Sequence, residues 1–137
     1  MILQIMGRLG KDPDMRYTPD GTAVTTISVA EDRKYISKSG EEKKVLWWFR
    51  CTAWNKQAEA INKWFSKGKG IYIIGELVST EEGNPRTWKD DNGITHANFE
   101  VQIREWRFPP SSPGEVSNLN EDYADNPDEE FNPAFNK

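Results

Sequence analysis

The fold is decided by residues 44–54, which read Lys-Val-Leu-Trp-Trp-Phe-Arg-Cys-Thr-Ala-Trp. Side chains alternate between the two faces of a β-strand, so the even and odd positions have to be considered separately. From position 48 the even face carries Trp48, Arg50, Thr52 and Trp54. The odd face carries Phe49, Cys51 and Ala53. Small and apolar side chains are typical of an interior, so the pattern predicts a long strand with its odd face in the core.

Weaker patterns on both sides of this stretch predict four more strands and one helix. The five predicted strands span residues 2–9, 23–30, 44–54, 71–78 and 94–106. Ala58, Ile61 and Phe65 lie at helical spacing, which predicts a helix over 57–65 with Asn55 as its N-cap. A single helix between the third and fourth strands predicts an all-β OB-fold, a five-stranded Greek-key barrel. An SH3-like barrel, which would lack the helix, and a small α+β sheet remain alternatives.

The composition of the chain changes at Pro109. Residues 109–137 contain five prolines, seven acidic residues and one lysine, so they carry a charge of −6. Residues 1–108 carry +2, although the whole chain of 137 residues sums to −4. We therefore expect an OB-fold domain over 1–108 and a disordered acidic tail over 109–137. Composition alone leaves open whether the tail is a solubilising appendage or an interaction segment.

Several classes of protein are disfavoured by what the sequence lacks. One cysteine and one histidine can form neither an intrachain disulfide nor a Cys/His zinc site, so we expect no metal and no cofactor. No apolar run approaches the ~20 residues of a membrane helix, and no signal peptide is recognisable, so we expect no membrane partner. A nuclease would need clustered carboxylates, for which Asp90, Asp91 and Glu100 are poor candidates. We expect a protein that is not an enzyme.

The even face of residues 44–54 predicts the function. A core face disfavours an arginine and a solvated face disfavours two tryptophans, whereas a surface that stacks bases and neutralises phosphates uses both. The alternative is that both rings lie under a loop, with Arg50 extending past them. Trp88 favours the first interpretation, because it lies between Arg86 and Lys89 in a long polar loop over 82–93.

Three blocks of the sequence resemble bacterial single-stranded DNA-binding proteins. The first block runs from Gly7-Arg8-Leu9-Gly10-Lys11-Asp12-Pro13 through Arg16-Tyr17 to Gly21 and Ala23-Val24. The second runs from Trp48 and Arg50 through Trp54 and Lys56 to Lys67-Gly68, Tyr72, Gly75 and Leu77. The third contains Arg86-Thr87-Trp88, Asp90 and Gly93. Together the blocks cover residues 2–106, and the first is a long and specific pattern.

The resemblance implies a protein that binds single-stranded DNA without sequence preference, protects it, and recruits replication and repair proteins. The family's stacking aromatics match Trp48, Trp54 and Trp88. A fourth falls on Lys34, and the adjacent Tyr35 is the predicted stacking residue there if the strand shifts by one residue, since alternation otherwise turns it away. The predicted phosphate-binding residues are Arg8, Arg16, Arg50, Lys56, Arg86 and Lys89, of which Arg16 and Lys56 rest on the resemblance. We expect a cytoplasmic location, at the nucleoid or replication sites. An RNA-binding OB-fold and a protein-interaction module remain alternatives.

The resemblance also implies a homotetramer and a tail that binds partners. Phe49 replaces a contact histidine of the family, and Tyr72 and Ile74 share an apolar face of the fourth strand that needs a partner, a loop or the tail to cover it. The predicted partner-binding residues of the tail are Asp128, Glu129, Glu130, Phe131 and Phe135. Family tails usually end on Pro-Phe, whereas here Asn136 and Lys137 follow Phe135, so we expect weak binding to partners that recognise that end.

Overall fold

A computed structural model of the chain describes residues 1–110. Within them the elements are β1 (Leu3–Leu9), β2 (Asp14–Tyr17), β3 (Ala23–Ile36), β4 (Glu42–Trp54), α1 (Asn55–Trp64), β5 (Gly70–Leu77), β6 (Thr87–Lys89), β7 (Thr95–Ala97) and β8 (Phe99–Arg107). No helix in this part of the chain is long and apolar enough to cross a membrane. The predicted partner-binding residues Asp128, Glu129, Glu130, Phe131 and Phe135 lie outside the described residues, as does the predicted tail beyond Pro110.

Five of these strands close into a barrel. Their order is β1-β5-β8-β4-β3, and β3 returns to β1 through the pairs Arg8 with Ala30 and Leu9 with Val29. β4 and β8 run parallel, and the other neighbouring strands of the barrel run antiparallel. The helix lies between β4 and β5, the third and fourth strands of the barrel. The predicted five-stranded OB-fold with one helix at that point is confirmed.

Alternating side chains from all five barrel strands fill the interior. Phe49, Cys51 and Ala53 are buried, as the odd face of residues 44–54 predicts. Burial raises the pKa of the Cys51 thiol to about 12, so this side chain stays neutral and packs as a small apolar group. Trp106, whose position the sequence leaves open, is completely buried and meets Phe65 edge to face at 5.3 Å.

The helix begins earlier than the sequence predicts, and Asn55 is not its N-cap. The N-cap is Trp54, which donates no side-chain cap, and Asn55 is the first helical residue. Its φ of 59° lies in the left-handed region, which glycine and asparagine tolerate best. The chain turns sharply here from β4 into α1. Ala58 and Ile61 fix the helix on the barrel through their buried side chains.

The strands differ from their predicted lengths wherever hydrogen bonding continues beyond the core. β3 runs to Ile36 rather than residue 30, and it pairs with β4 without interruption from Val24 to Ile36. The predicted strand over 94–106 is two strands, and the predicted loop over 82–93 contains β6, which pairs with β7. Alternation of apolar side chains marks only the buried part of a strand, whereas backbone pairing can continue into solvent.

Candidate nucleic-acid interface

The predicted stacking residues of β4 lie on the outer surface of the barrel. Trp48 is 50% exposed and Trp54 38% exposed, and Arg50 stands between them on the same face. On β3, Ala30 lies opposite Trp48, Ser28 opposite Arg50 and Val24 opposite Trp54, while Thr26 lies opposite Thr52. These side chains are small and directly opposed residues share a face, so no large group on β3 covers the two indoles. The alternative interpretation, with both rings under a loop, does not fit their exposure.

Cations from β1 and β2 extend this face. Arg8 pairs with Ala30, which pairs with Trp48, so the three residues stand in one row across β1, β3 and β4. Arg16 pairs with Val24, which pairs with Trp54, and forms a second such row. Each exposed indole therefore has a predicted phosphate-binding arginine in its own row. Each arginine lies two strands from the ring in its row, about 10 Å at the usual spacing of neighbouring strands.

An open groove of ≈ 380 Å³ lies beside Trp48. It is lined by Lys11, Asp14, Arg16, Thr26, Ser28, Trp48, Phe49, Arg50 and Asn98. Its only charged residues are three cations and one carboxylate, and Asp14 forms an exposed ion pair with Arg16 at 3.1 Å that costs little to separate. Arg50 forms no ion pair with any described residue. The groove therefore carries net positive charge next to an aromatic ring.

The sequence did not single out Lys11 or Asn98, which also line the groove. Lys11 stands within the first resemblance block, so its position there was an available signal. Asn98 lies between β7 and β8, and no feature of the sequence places it near Trp48.

Gly10 determines where the ring of Trp48 can lie. A Cβ atom at Gly10 would stand 2.5 Å from Cζ3 and 2.7 Å from Cη2 of Trp48, closer than carbon atoms approach without overlap. The indole therefore rests directly on the backbone after β1. A glycine is required here because of this close approach.

We expect Gly10→Ala to move the Trp48 ring and weaken binding of oligo-dT by about 5- to 50-fold, part of the ~1–3 kcal/mol that one stacked base contributes. Fluorescence anisotropy of labelled oligo-dT measures the effect, and the Trp48→Ala background supplies the control. In that background the glycine change has no ring to displace, so it should have almost no effect. Equal losses in both backgrounds would mean that Gly10 acts on the fold rather than on Trp48.

Trp88 lies on a separate hairpin made of β6 and β7. It is 50% exposed, and its ring stacks on His96 of β7 with centroids 4.6 Å apart. The turn between the strands is held by Asp90, whose Oδ1 accepts hydrogen bonds from the backbone N–H groups of Asn92 and Ile94, each at 2.9 Å. The described barrel and this hairpin thus present indoles on two distinct elements.

The other predicted phosphate-binding residues are less well grouped. Lys89 is exposed on β6, and alternation turns it to the opposite side of the hairpin from Trp88. Arg86 precedes β6 and lies 3.7 Å from a carboxylate oxygen of Glu100. Lys56 is exposed in the first turn of α1. The structure therefore brings Arg8, Arg16 and Arg50 to the Trp48–Trp54 face. Lys56 follows Trp54 by two residues, whereas Arg86 and Lys89 belong to the hairpin.

Tyr35 does not lie on the face of Trp48. The pairing of β3 with β4 has no bulge, so Tyr35 stands opposite Lys43 on the side that carries Trp47. Strand alternation alone predicts this, and the one-residue shift that would bring Tyr35 round does not occur. Tyr35 is 52% exposed, and its stacking role stays a prediction.

The predicted interface residues lie on two different surfaces. Tyr72 and Ile74 are half-buried on the outside of β5, opposite the exposed Met6 and Gln4 of β1. Phe49, in contrast, is buried inside the chain, because its ring packs against Phe99 at 5.9 Å and Trp47 at 6.3 Å. Only 8% of Phe49 is exposed in the single chain, and its contact with a partner subunit stays a prediction.

Several carboxylates of the described residues form ion pairs with side chains of the chain itself. Among residues 1–110 no group of three His, Cys, Asp or Glu side chains is arranged to hold a metal ion. A hydrogen bond from His96 is the main reason that the pKa of Asp90 lies below its usual value, and hydrogen bonding to Arg104 does the same for Glu76. These carboxylates are ionised near neutral pH and bind side chains of the chain itself.

Comparisons with known proteins agree with this geometry. The model of the single-strand binding protein family matches residues 2–109. A deletion mutant of the single-stranded DNA binding protein from Thermus aquaticus is similar in structure, with a TM-score of 0.64 and 28% identity over 82% of this chain. This chain spans about half of that protein, 51% of its length. A Plasmodium falciparum SSB in complex with ssDNA has the same fold, with a TM-score of 0.65 and 23% identity over 80% of this chain and 94% of that one.

Proposed function

The chain belongs to the single-strand binding protein family, and from that premise we propose that it coats and protects single-stranded DNA during replication, recombination and repair. Bases stack on Trp48 and Trp54, and phosphates contact Arg50, Arg8 and Arg16. Binding is independent of base sequence, because every base has a π-face and every nucleotide carries a phosphate. The protein acts by binding and carries out no catalysis, and it works wherever single strands are exposed in the cytoplasm.

One observation supports this proposal more than any other. Trp48 and Trp54 are exposed on one barrel face, with Arg50 between them and only small side chains opposite. Six residues of extended strand separate the indoles by about 20 Å, so a single strand of several nucleotides can engage both. A protein-interaction module does not need exposed tryptophans on both sides of an arginine. Single-stranded nucleic acid can stack its bases on the two rings and place a phosphate against the guanidinium.

The test is a titration of the protein with oligo-dT at several salt concentrations, in which intrinsic tryptophan fluorescence reports binding. We expect strong quenching. The logarithm of the affinity should fall linearly with the logarithm of the salt concentration, with a slope of about 0.7 per neutralised phosphate. Arg50→Gln should reduce this slope by about 0.7. Arg104→Gln is the matched control, because its guanidinium already binds Glu76 at 2.6 Å.

Two outcomes of this titration separate the candidate functions, and a shortened chain tests the tail. An absence of quenching at low salt would refute the proposal. Competition by oligo-U as effective as that by oligo-dT would show that the protein does not distinguish RNA from DNA, since stacking does not sense the 2′-hydroxyl, and stronger competition by oligo-U would identify an RNA-binding protein. The same titration with residues 113–137 deleted tests the tail: its acidic charge, tethered near the groove, should compete with DNA. The shortened chain should then bind more tightly at low salt, and the gain should fade at high salt.

We also propose that four copies assemble through the outer face of β1 and β5. Tyr72 and Ile74 stand there beside the exposed Met6, and an apolar face of this kind is stabilised by a partner surface. Light scattering at micromolar concentration should give a tetramer, and Ile74→Glu should give a smaller species, because a carboxylate would be buried at the contact. Trp47→Glu, on a different exposed surface, should leave the assembly intact. A wild-type monomer would contradict the proposal.

The acidic tail supplies the third part of the proposal. With a charge of −6 next to a domain of +2, it recruits replication and repair proteins when DNA occupies the groove. Phe131 or Phe135 would be the apolar anchor and Asp128 to Glu130 the charge.

A further inference from the structure

The one histidine of the chain lies against a predicted stacking tryptophan. His96 and Trp88 are directly opposite each other across the β6–β7 hairpin, and their rings stack at 4.6 Å with an angle of 25° between the planes. A parallel stack covers one face of the indole only. Trp88 remains 50% exposed, so the other face is open to a base.

Within the described residues His96 is the one ring that Trp88 contacts, and the base of the hairpin meets the barrel through the ion pair of Arg86 with Glu100. β6 and β7 pair with each other, and neither strand packs against the barrel strands or the helix. An isolated two-stranded hairpin is marginally stable, and an unsupported indole on it would occupy several rotamers. The imidazole is therefore the group that restricts the orientation of the ring.

Asp90 in turn holds the imidazole. Its Oδ2 lies 2.8 Å from Nε2 of His96, while its Oδ1 accepts the backbone hydrogen bonds of the turn. The carboxylate is ionised near neutral pH, so it accepts the hydrogen bond and Nε2–H donates it. The turn, the imidazole and the indole thus form one chain of contacts.

We propose that His96 is a positioning residue for Trp88, and that protonation of its imidazole tightens binding of single-stranded DNA at mildly acid pH. The inference rests on the proposed function, because it needs Trp88 to stack a base. An imidazolium strengthens the contact with the carboxylate of Asp90 and with the π-face of the indole. It also places a positive charge behind the ring on which the base stacks, next to the phosphates of the strand.

The surroundings of His96 give this titration its direction. The charged groups on the hairpin are Asp90 at the turn, Asp91 beside it, and Lys89 on the opposite side of β6. Arg86, just before β6, lies 3.7 Å from Glu100 of β8, and in the described part of the chain β6 and β7 otherwise pair with each other. Asp90 is the charged group in contact with the ring, so a positive charge on the imidazole faces an opposite charge 2.8 Å away. Imidazole is the side chain whose charge ordinarily changes between pH 8 and 5.

The experiment measures binding of labelled oligo-dT by anisotropy at pH 8 and pH 5.5, in about 0.1 M salt. We expect the wild type to gain about 5-fold in affinity at the lower pH, the effect of one further phosphate contact at that salt concentration. His96→Phe keeps a stacked ring but cannot gain a proton, so its gain should disappear. His96→Ala also removes the stack, and should bind about 2- to 10-fold more weakly at both pH values.

Two carboxylate variants provide a matched comparison. Asp90→Asn and Asp91→Asn each remove one negative charge from the same turn, and an asparagine at position 90 can still accept the backbone hydrogen bonds. Asp90→Asn should move the midpoint of the pH-dependent gain to lower pH, because the imidazolium loses its partner. Asp91→Asn should move it much less, since no contact joins Asp91 to His96 among the described residues.

A second measurement needs no DNA. The emission of Trp88, taken as the difference between the wild type and Trp88→Phe, should fall as the pH drops, because a protonated imidazole quenches an indole in contact with it. His96→Phe should abolish this change. An identical pH profile of DNA binding in the wild type and His96→Phe would overturn the inference. A wild type that binds no oligo-dT would instead overturn the proposed function, and the emission titration would still report on the stack.

Discussion

Replacing both Trp48 and Trp54 by alanine is expected to lower the affinity for oligo-dT by about 2–6 kcal/mol, the sum of two stacked bases at ~1–3 kcal/mol each. The indoles lie on the same face of β4 but six residues apart, so their contributions should be close to additive. Both rings are substantially exposed, so their removal leaves no cavity in the core. Anisotropy of labelled oligo-dT measures the loss, and the melting temperature should change little.

The matched control for this variant is Trp47→Ala. Trp47 is adjacent to Trp48 and 40% exposed, but it faces the other side of the strand, where it stacks on Phe99 at 5.3 Å. Its removal changes the surface aromatic content as much as the removal of Trp48 and leaves the Trp48–Trp54 face unchanged. A loss of affinity in Trp47→Ala as large as that in Trp48→Ala would show that the stacking surface is not the even face of β4.

The second large effect is on stability. Trp106→Ala should destabilise the folded state by about 3–5 kcal/mol, the usual range for removing a buried tryptophan from a core. Trp106 is fully buried and contacts Phe65 at 5.3 Å and Phe108 at 5.4 Å, so truncation opens a cavity among aromatic rings that cannot collapse easily. Urea unfolding at a fixed protein concentration measures the change, since assembly would couple to the midpoint.

Trp64→Ala is the comparison for Trp106→Ala. Trp64 ends α1 and is only partly buried against the core, with the ammonium of Lys63 over its ring at 5.4 Å. Its truncation exposes less apolar surface and leaves no enclosed cavity. Trp64→Ala should therefore lower the free energy of unfolding by less than half as much as Trp106→Ala. Equal losses of stability in the two variants would contradict the location of the core that the structure shows.

These experiments assign opposite roles to tryptophans that the sequence presents in similar surroundings. Trp48 and Trp106 each lie in a predicted strand with an arginine and an aromatic residue within two positions. One should affect DNA binding and not stability, and the other the reverse. The difference lies in which strands flank them: small side chains of β3 leave Trp48 open, whereas α1 and the chain after β8 enclose Trp106 through Phe65 and Phe108.

The sequence alone determined the barrel and one face of its site. The two-residue period of Trp48, Arg50 and Trp54 against Phe49 and Cys51 is a local property of an extended chain, so alternation sorts the side chains without knowledge of the partner strands. The helix between the third and fourth barrel strands was equally visible, because helical spacing is also local. For that reason the OB-fold and the even face of β4 were predictable before any contact was known.

Only the tertiary structure decided how each ring is held. Gly10 lies beneath Trp48 from 38 positions away, and His96 meets Trp88 through the register of a hairpin where the sequence predicts a loop. Such contacts depend on which backbones become neighbours and on how closely they approach, and short-range periodicity contains no information about either. The position of a stacking ring is therefore a property of the closed barrel and the paired hairpin, whereas its presence on a given face is a property of the strand.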